Sequence, residues 1–408
     1  MSSARYSITT LLIGTGLLFL GNGLFMTIVP VRAQLGEFST AVIGLMGAAY
    51  FSGFALGCVV GPLAIKWVGH IRCFAGFAAL TAALALAYPL AFDPIVWCVL
   101  RGLSGLCLAV CFMIVESWLN DQSSNEIRGR VLSIYIIVTN LVTIGGQLAV
   151  NLYVADNPAL FSLVAMLIGL SLVPLALTPT AAPKPIVEAR LRILRLFRLS
   201  PTACLGCLAI GTVEGAFWSL GPVFAQGHDL PISQVTLFMG AFVMGGTLSQ
   251  WPLGRFSDKV DRRLVIVFCA VGTVCTALAL TFAEWPHPLI GFGLAILHGA
   301  FMVPIYPLLL AHANDYAPND ALVEVSGGLL LIYASGAALG PLLVGPAMEH
   351  FGIGALFFAM VVVLGLFAIF VGVRITLRAA VEVERPERAE FVPVPKTTPS
   401  VYSLETDD

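Results

Sequence analysis

Charge is scarce in this chain. Of its 408 residues only 11% are Asp, Glu, Lys or Arg, against about 25% in an ordinary soluble domain. With 58% hydrophobic residues and a mean hydropathy of +0.94, no soluble core could hide the apolar surface, so the bilayer must be part of the solvent. The net charge of -2 offers no basic surface for nucleic acid. No Walker phosphate loop is present, which excludes a pump driven directly by ATP. Neither H-E-x-x-H nor G-x-S-x-G occurs, so the common intramembrane enzyme patterns are missing too. No stretch outside the apolar runs is long enough for a receptor domain. No cofactor or metal pattern is seen, and none is expected. Nine cysteines are present, all inside apolar runs, and they read as small helix-packing residues. Cys204-x-x-Cys207 has no soluble fold around it to make a redox site.

What is there is a series of long apolar runs. A membrane helix needs about 20 mostly apolar residues. Twelve stretches qualify: 7–31, 39–63, 70–91, 94–118, 129–153, 158–178, 202–226, 232–256, 264–284, 288–312, 323–347 and 352–375. The first is long enough to remain as a span, so a cleaved leader is not expected. The sequence divides into a first six-helix bundle (1–178), a Pro-rich then basic linker (179–201), a second six-helix bundle (202–375) and a tail (376–408) expected to be disordered. An even number of spans puts both termini on one side. Of 21 Lys and Arg residues, all but Arg32 and Arg101 fall on that side, which reads as cytoplasmic, in the cell (inner) membrane.

The runs repeat. Residues 19–34 (FLGNGLFMTIVPVRAQ) align with 211–226 (GTVEGAFWSLGPVFAQ) at an offset of 192, matching at Gly23/Gly215, Phe25/Phe217, Pro30/Pro222, Val31/Val223, Ala33/Ala225 and Gln34/Gln226. Met46-Gly47-Ala48 matches Met239-Gly240-Ala241, and Gly61 matches Gly254. Gly105 matches Gly299, Asn120-Asp121 matches Asn314-Asp315, and Gly146 matches Gly340. A nearly constant offset over more than half of each unit argues for duplication. Where the first copy has Asn22, the second has Glu214, an ionisable residue inside an apolar span and therefore a functional candidate.

Residues 254–263 read GRFSDKVDRR, and here Gly254, Asp258, Lys259, Arg262 and Arg263 resemble the signature loop of the major facilitator superfamily. The first-half copy, GPLAIKWVGHIR at 61–72, is degraded, with Ile65 in place of the acid. RGLSG at 101–105 and Arg128-Gly129-Arg130 are further familiar elements. ESWLND at 116–121, with GGQ at 145–147, is similar to the YcaD-like branch. The resemblance implies an all-α membrane protein: twelve transmembrane helices in two pseudo-symmetric six-helix bundles that rock around a central cavity, giving alternating access. It also puts substrate groups on segments 1, 4, 7 and 10, where Asn22, Arg101, Glu214 and His298 stand.

Those four are the expected substrate or proton-coupling residues. Glu214 lies about 12 residues into its span, at mid-depth, and a buried carboxylate can exchange a proton near neutral pH. Arg101 keeps its charge and needs an anion, a carbonyl or water. His298 has the chemistry of a proton relay, and equally that of a neutral hydrogen-bonding residue. Asn22, Gln147, Gln250, Tyr306 and Tyr333 could line a polar cavity, and Trp218 and Phe217 could stack on a ligand. A gating network of Gly254, Asp258, Arg262, Arg263, Arg128, Arg130 and Glu116 is expected where the halves meet on the basic side. Gly336-x-x-x-Gly340-Pro341 in segment 11 permits close helix approach and a kink, and resembles a pattern that antiporters of the superfamily carry in segment 5. The expected function is secondary transport of a small organic solute coupled to protons. Export is the first direction and uptake symport the alternative; a non-transporting receptor or scaffold is the rival of another class. The expected partners are the solute, protons and the lipid bilayer, with a monomer as the working unit.

Overall fold

The computed structural model describes residues 2–122, 125–177, 193–282, 287–318 and 321–377; side chains are described from residue 8 onward, except 125–130 and 323. Among them, twelve helices are long and apolar enough to cross a membrane. We label these α1 (Ser2–Leu35), α2 (Thr40–Val68), α3 (His70–Ala87, extended by a 3-10 turn), α4 (Pro94–Asp121), α5 (Asn125–Leu148) and α6 (Ala159–Leu170, continued by Leu172–Ala176). In the second half they are α7 (Pro201–Gln226), α8 (Ile232–Ser257), α9 (Arg262–Phe282), α10 (Pro288–Met302 and Ile305–Asn314), α11 (Leu322–Phe351) and α12 (Ala355–Leu377). All twelve expected spans are present, most within a few residues of their predicted ends. Of the linker, residues 193–201 are described, including a short helix, Ile193–Leu199. Residues 378–408, nearly all of the expected tail, lie outside the described residues.

The sequence signals that start and stop these helices also repeat. Asp93 caps α4 by accepting from Ile95 N and Val96 N at 2.9 and 3.0 Å, with Pro94 in the first turn. His287 caps α10 in the same way, accepting from Leu289 N, with Pro288 following. Proline suits that position because its missing N–H would have no partner there anyway. Glu37 and Asp229 have φ of 62° and 58°, an unusual conformation outside glycine. They stand 192 residues apart, each just past the end of an equivalent helix. α10 breaks where Pro304 withdraws a backbone donor.

Packing inside the two halves follows one plan. A Cβ on Gly105 would lie 2.0 Å from the Tyr50 carbonyl oxygen; a Cβ on Gly299 would lie 2.0 Å from that of Phe242. A Cβ on Gly146 would meet the Leu20 carbonyl at 2.1 Å, and one on Gly340 the Thr212 carbonyl at 1.9 Å. Thus α2 packs on α4 as α8 packs on α10, and α1 on α5 as α7 on α11. These crossings admit no side chain, as expected where small residues let helix backbones touch in lipid. The central helices are the most enclosed: 72% of the apolar windows of α4 and α7 is buried, against 39% for α3, α6 and α12.

The two halves meet at the face away from Ser2 and Leu377, here called the far face; the described Lys66, Arg195, Arg255, Lys259 and Arg262 lie toward the opposite one, here called the basic face. The Thr40 hydroxyl of α2 donates to the Gly345 carbonyl of α11 at 3.0 Å, and Ala41 N donates to the Glu349 carboxylate at 3.3 Å. On the opposite flank, Asn151 donates to Thr236 and Asn140 to Thr247, both at 2.9 Å.

Candidate functional site

A cavity of about 250 Å³ lies between the halves at mid-depth. From the first half, Phe19, Asn22 and Met26 reach it from α1, and Tyr50, Phe51 and Phe54 from α2. α5 presents Tyr135, Thr139 and Thr143, one residue every four, so a single helical face lines the wall. The second half supplies Glu214 and Trp218 from α7, Phe242 and Gln250 from α8 and Tyr333 from α11.

Glu214 is 1% exposed and borders this cavity, not the lipid. Its carboxylate accepts a hydrogen bond from the Tyr333 hydroxyl of α11. Tyr333 in turn packs against Tyr306 of α10, ring centroids 5.0 Å apart. The acid is therefore held by a group that joins two helices of its own half while facing the first half across open space. Asn22, its repeat partner, lines the same cavity, and its Oδ1 has no hydrogen-bond partner.

Arg101 does not line that cavity. It is 3% exposed, and its Nη2 lies 3.0 Å from the Met26 sulfur. The guanidinium sits over Tyr50 at 4.5 Å and Phe25 at 5.5 Å, an arrangement that attracts a cation to ring faces. Its Nη1 lacks a hydrogen-bond partner. Arg101 borders a separate void of about 10 Å³ with Pro30, Gly47 and Ser219, roughly room for one water. Met26 and Tyr50 thus stand between the guanidinium and the main cavity.

His298 is also set back. It is fully buried, with Nδ1 2.9 Å from the Thr276 hydroxyl and its ring among Phe217, Phe242 and Phe357. Of the other polar candidates, Gln250 lines the cavity. Gln147 is buried at the α5/α8 contact near Gly240, and Tyr306 backs Tyr333. Trp218 lines the cavity, whereas Phe217 lies behind it, 4.0 Å from Phe242.

The described gating candidates come from both halves. Arg262 reaches Asp258 at 3.0 Å and Asp315 at 2.9 Å; Arg263 reaches Asp261 at 2.7 Å. Gly254 is buried one turn before Asp258 and accepts its backbone N–H at 3.2 Å. All of these belong to the second half. Glu116 belongs to the first, where it accepts from Tyr135 at 2.8 Å. The side chains of Arg128 and Arg130 lie outside the described residues. Sequence reasoning gave no role to Asp315 or to the rings of Phe19, Tyr50 and Tyr135. The four-residue spacing of Tyr135, Thr139 and Thr143 was the available signal for the α5 wall.

The sequence model of the Major Facilitator Superfamily matches residues 11–327 and, again, 203–404. The chain belongs to the major facilitator superfamily. It is 28% identical over 362 residues to the uncharacterised MFS-type transporter YcaD of Escherichia fergusonii, covering 88% of this chain and 93% of that protein. It is likewise 28% identical over 364 residues to YcaD of Escherichia coli strain K12 / DH10B, with the same coverage. Among solved structures it is similar in fold to the nucleoside transporter NupG, with TM-score 0.75, 15% identity and coverage of 91% and 98% of the two chains. A bacterial homologue of the lysosomal transporter Spinster, inward-facing and occupied, gives TM-score 0.73 at 15% identity, covering 92% and 97%. The protein is a multi-pass membrane transporter of the YcaD-like branch, not an enzyme. Transporters of this superfamily bind small-molecule solutes.

Proposed function

We propose that this superfamily transporter is a proton-coupled exporter of a small organic solute, with Glu214 as the group that exchanges the proton. The observation that carries the reading is the placement of Glu214. Among the described residues lining the cavity it is the only Asp, Glu, Lys, Arg or His, and it is held by Tyr333 at the contact of α7 and α11. Taking up a proton removes a buried charge, and releasing one restores it, so occupancy and protonation are linked at one atom group. The positive face is taken as cytoplasmic, in the inner membrane, with both termini inside. Closure at the far face supports a cavity that faces the cytoplasm in this state, and export is taken as the direction on the family resemblance. Alternating access then requires the far-face contacts to part while the basic ends approach. Asp258, Arg262, Arg263 and Glu116 are proposed to exchange partners as that happens, with Gly254 permitting close approach. One copy of the chain is taken to suffice.

The test uses purified protein in liposomes loaded with a pH-sensitive dye and challenged with pools of cationic, nucleoside, neutral and anionic solutes. One pool should evoke proton movement, and Glu214→Gln should abolish it while folding and melting temperature stay near wild type. Undiminished proton movement in Glu214→Gln would remove this reading. Asp258→Asn should shift the accessibility of introduced cysteines between the two faces, and no shift would reduce the loop to a topology signal.

A further inference from the structure

The sign and texture of the cavity narrow the solute. Glu214 is the sole charged side chain among the described lining residues, and no Lys, Arg or His joins it. The nearest deep cation, Arg101, is walled off by Met26 and Tyr50 and spends its charge on a sulfur and two ring faces. An anion entering here would meet the Glu214 carboxylate, with no Lys, Arg or His among the described lining residues to receive it.

The rings come from both halves and are braced from behind. Phe19 stacks on Phe112 with centroids 4.5 Å apart, and Phe242 rests on Phe217 at 4.0 Å. Trp218 stands edge-on to Phe242 at 5.9 Å. Rings fixed by their neighbours present faces at little entropic cost. A desolvated cation over such faces gains about 2 kcal/mol or more, and a nearby carboxylate supplies its counter-charge.

We infer that the solute is a flat, apolar monocation, a protonated arylalkylamine or an aryl-bearing quaternary ammonium, with its charge toward Glu214 and its body between the rings of the two halves. This rests on the transport reading above and adds the solute's charge and shape to it.

The experiment measures equilibrium binding, with no flux, to the full chain in lipid nanodiscs at pH 8. The probes are 1-methyl-4-phenylpyridinium, 1-methylquinolinium and benzyltrimethylammonium. They are compared with neutral 4-phenylpyridine, the anion biphenyl-4-carboxylate and the nucleoside uridine. At least one cation should bind about tenfold or more tighter than 4-phenylpyridine, and the anion should not bind. Glu214→Gln should lower that cation's affinity about tenfold and leave 4-phenylpyridine nearly unchanged. Trp218→Leu should weaken the cation as well. Should Glu214→Gln fail to fold, the wild-type ranking of cation, neutral and anion decides alone. The inference is overturned if none of the three cations binds, if the neutral or anionic probe binds as tightly, or if Glu214→Gln leaves cation affinity intact. Uridine binding with solute-evoked proton movement would overturn it while sparing the transport reading. Cation binding that needs Glu214, without proton movement in liposomes, would spare this inference and remove the coupling.

Discussion

The two flanks that close the far face are related by the internal repeat, yet they are built from opposite chemistry. Between α2 and α11 the helices touch backbone on backbone, with the Thr40 and Ala41 hydrogen bonds beside that contact. A Cβ on Gly44 would lie 2.3 Å from the Pro341 carbonyl and 3.0 Å from the Gly345 Cα. Between α5 and α8 the positions that correspond to Gly345 and Gly44, at offsets of 194 and 192, are Asn151 and Thr236. There the side chains form a hydrogen bond of 2.9 Å. Duplication supplied one geometry, and divergence filled it once with space and once with polar atoms. The glycine flank is steric and all-or-none. The polar flank is graded, because each hydrogen bond nets only about 0.5–1.5 kcal/mol.

Breaking the glycine flank should have the largest effect. Gly44→Leu places a branched side chain against backbone that has no rotamer to yield. Overpacking costs about 1–3 kcal/mol, so the population closed at the far face should fall about 5- to 150-fold relative to open states. Alkylation of a cysteine introduced beside the cavity, by an impermeant reagent added at the far face, should accelerate to match. An unchanged rate would show that the α2/α11 contact does not hold the face shut.

The polar flank should respond more gently. Asn140→Ala and Asn151→Ala each remove one described inter-half hydrogen bond, and each should raise the same rate about 2- to 10-fold. The double variant should be close to additive, since the two bonds lie several turns apart on α5. If either alanine variant matched Gly44→Leu, the contrast between steric and graded flanks would be wrong.

Much of this plan was legible in the sequence because duplication writes itself twice. Gly105/Gly299 and Gly146/Gly340 were visible as matches, and the structure shows each pair making the same carbonyl contact in its own half. The placement of Glu214 followed from a carboxylate inside an apolar run. The roles of Arg101 and His298 did not follow, because a span's rotation is unreadable when all its faces are apolar. One residue's turn separates a side chain that lines the cavity from one packed behind Phe217 or Tyr50. The Arg262–Asp315 pair was also invisible, since it joins the start of α9 to the end of α10, 53 residues apart.

A smaller effect sharpens the comparison at the glycine flank itself. Glu349 accepts the Ala41 N–H in the first turn of α2, where a negative charge is favoured by the helix dipole, typically by about 0.3–1 kcal/mol. Glu349→Gln keeps an acceptor and removes the charge. Far-face accessibility should rise about 2- to 5-fold, and the gain should shrink in high salt. A gain as large as that from Gly44→Leu would mean that charge, not backbone fit, closes this flank.

The weakest effect tests whether the basic face belongs to the same switch. Asp261, in the turn between α8 and α9, is bound by Arg263 through its side chain and its backbone N–H. Burial alone would raise the Asp261 carboxyl; the Arg263 hydrogen bonds and charge outweigh it and hold the group below its usual value. A lowered carboxyl in the folded state contributes stability above the unfolded value of about 3.9, and that stability is lost as pH falls through the lowered one. Asp261→Asn should therefore lower the melting temperature slightly at pH 7, for a cost of at most about 1 kcal/mol. The gap to wild type should close as both are taken well below pH 3.9. Far-face alkylation should rise by less than in Glu349→Gln, because Arg263 released from Asp261 can join the partner exchange proposed for the basic face. No change in alkylation would leave Asp261 a brace within the second half and keep it out of the switch.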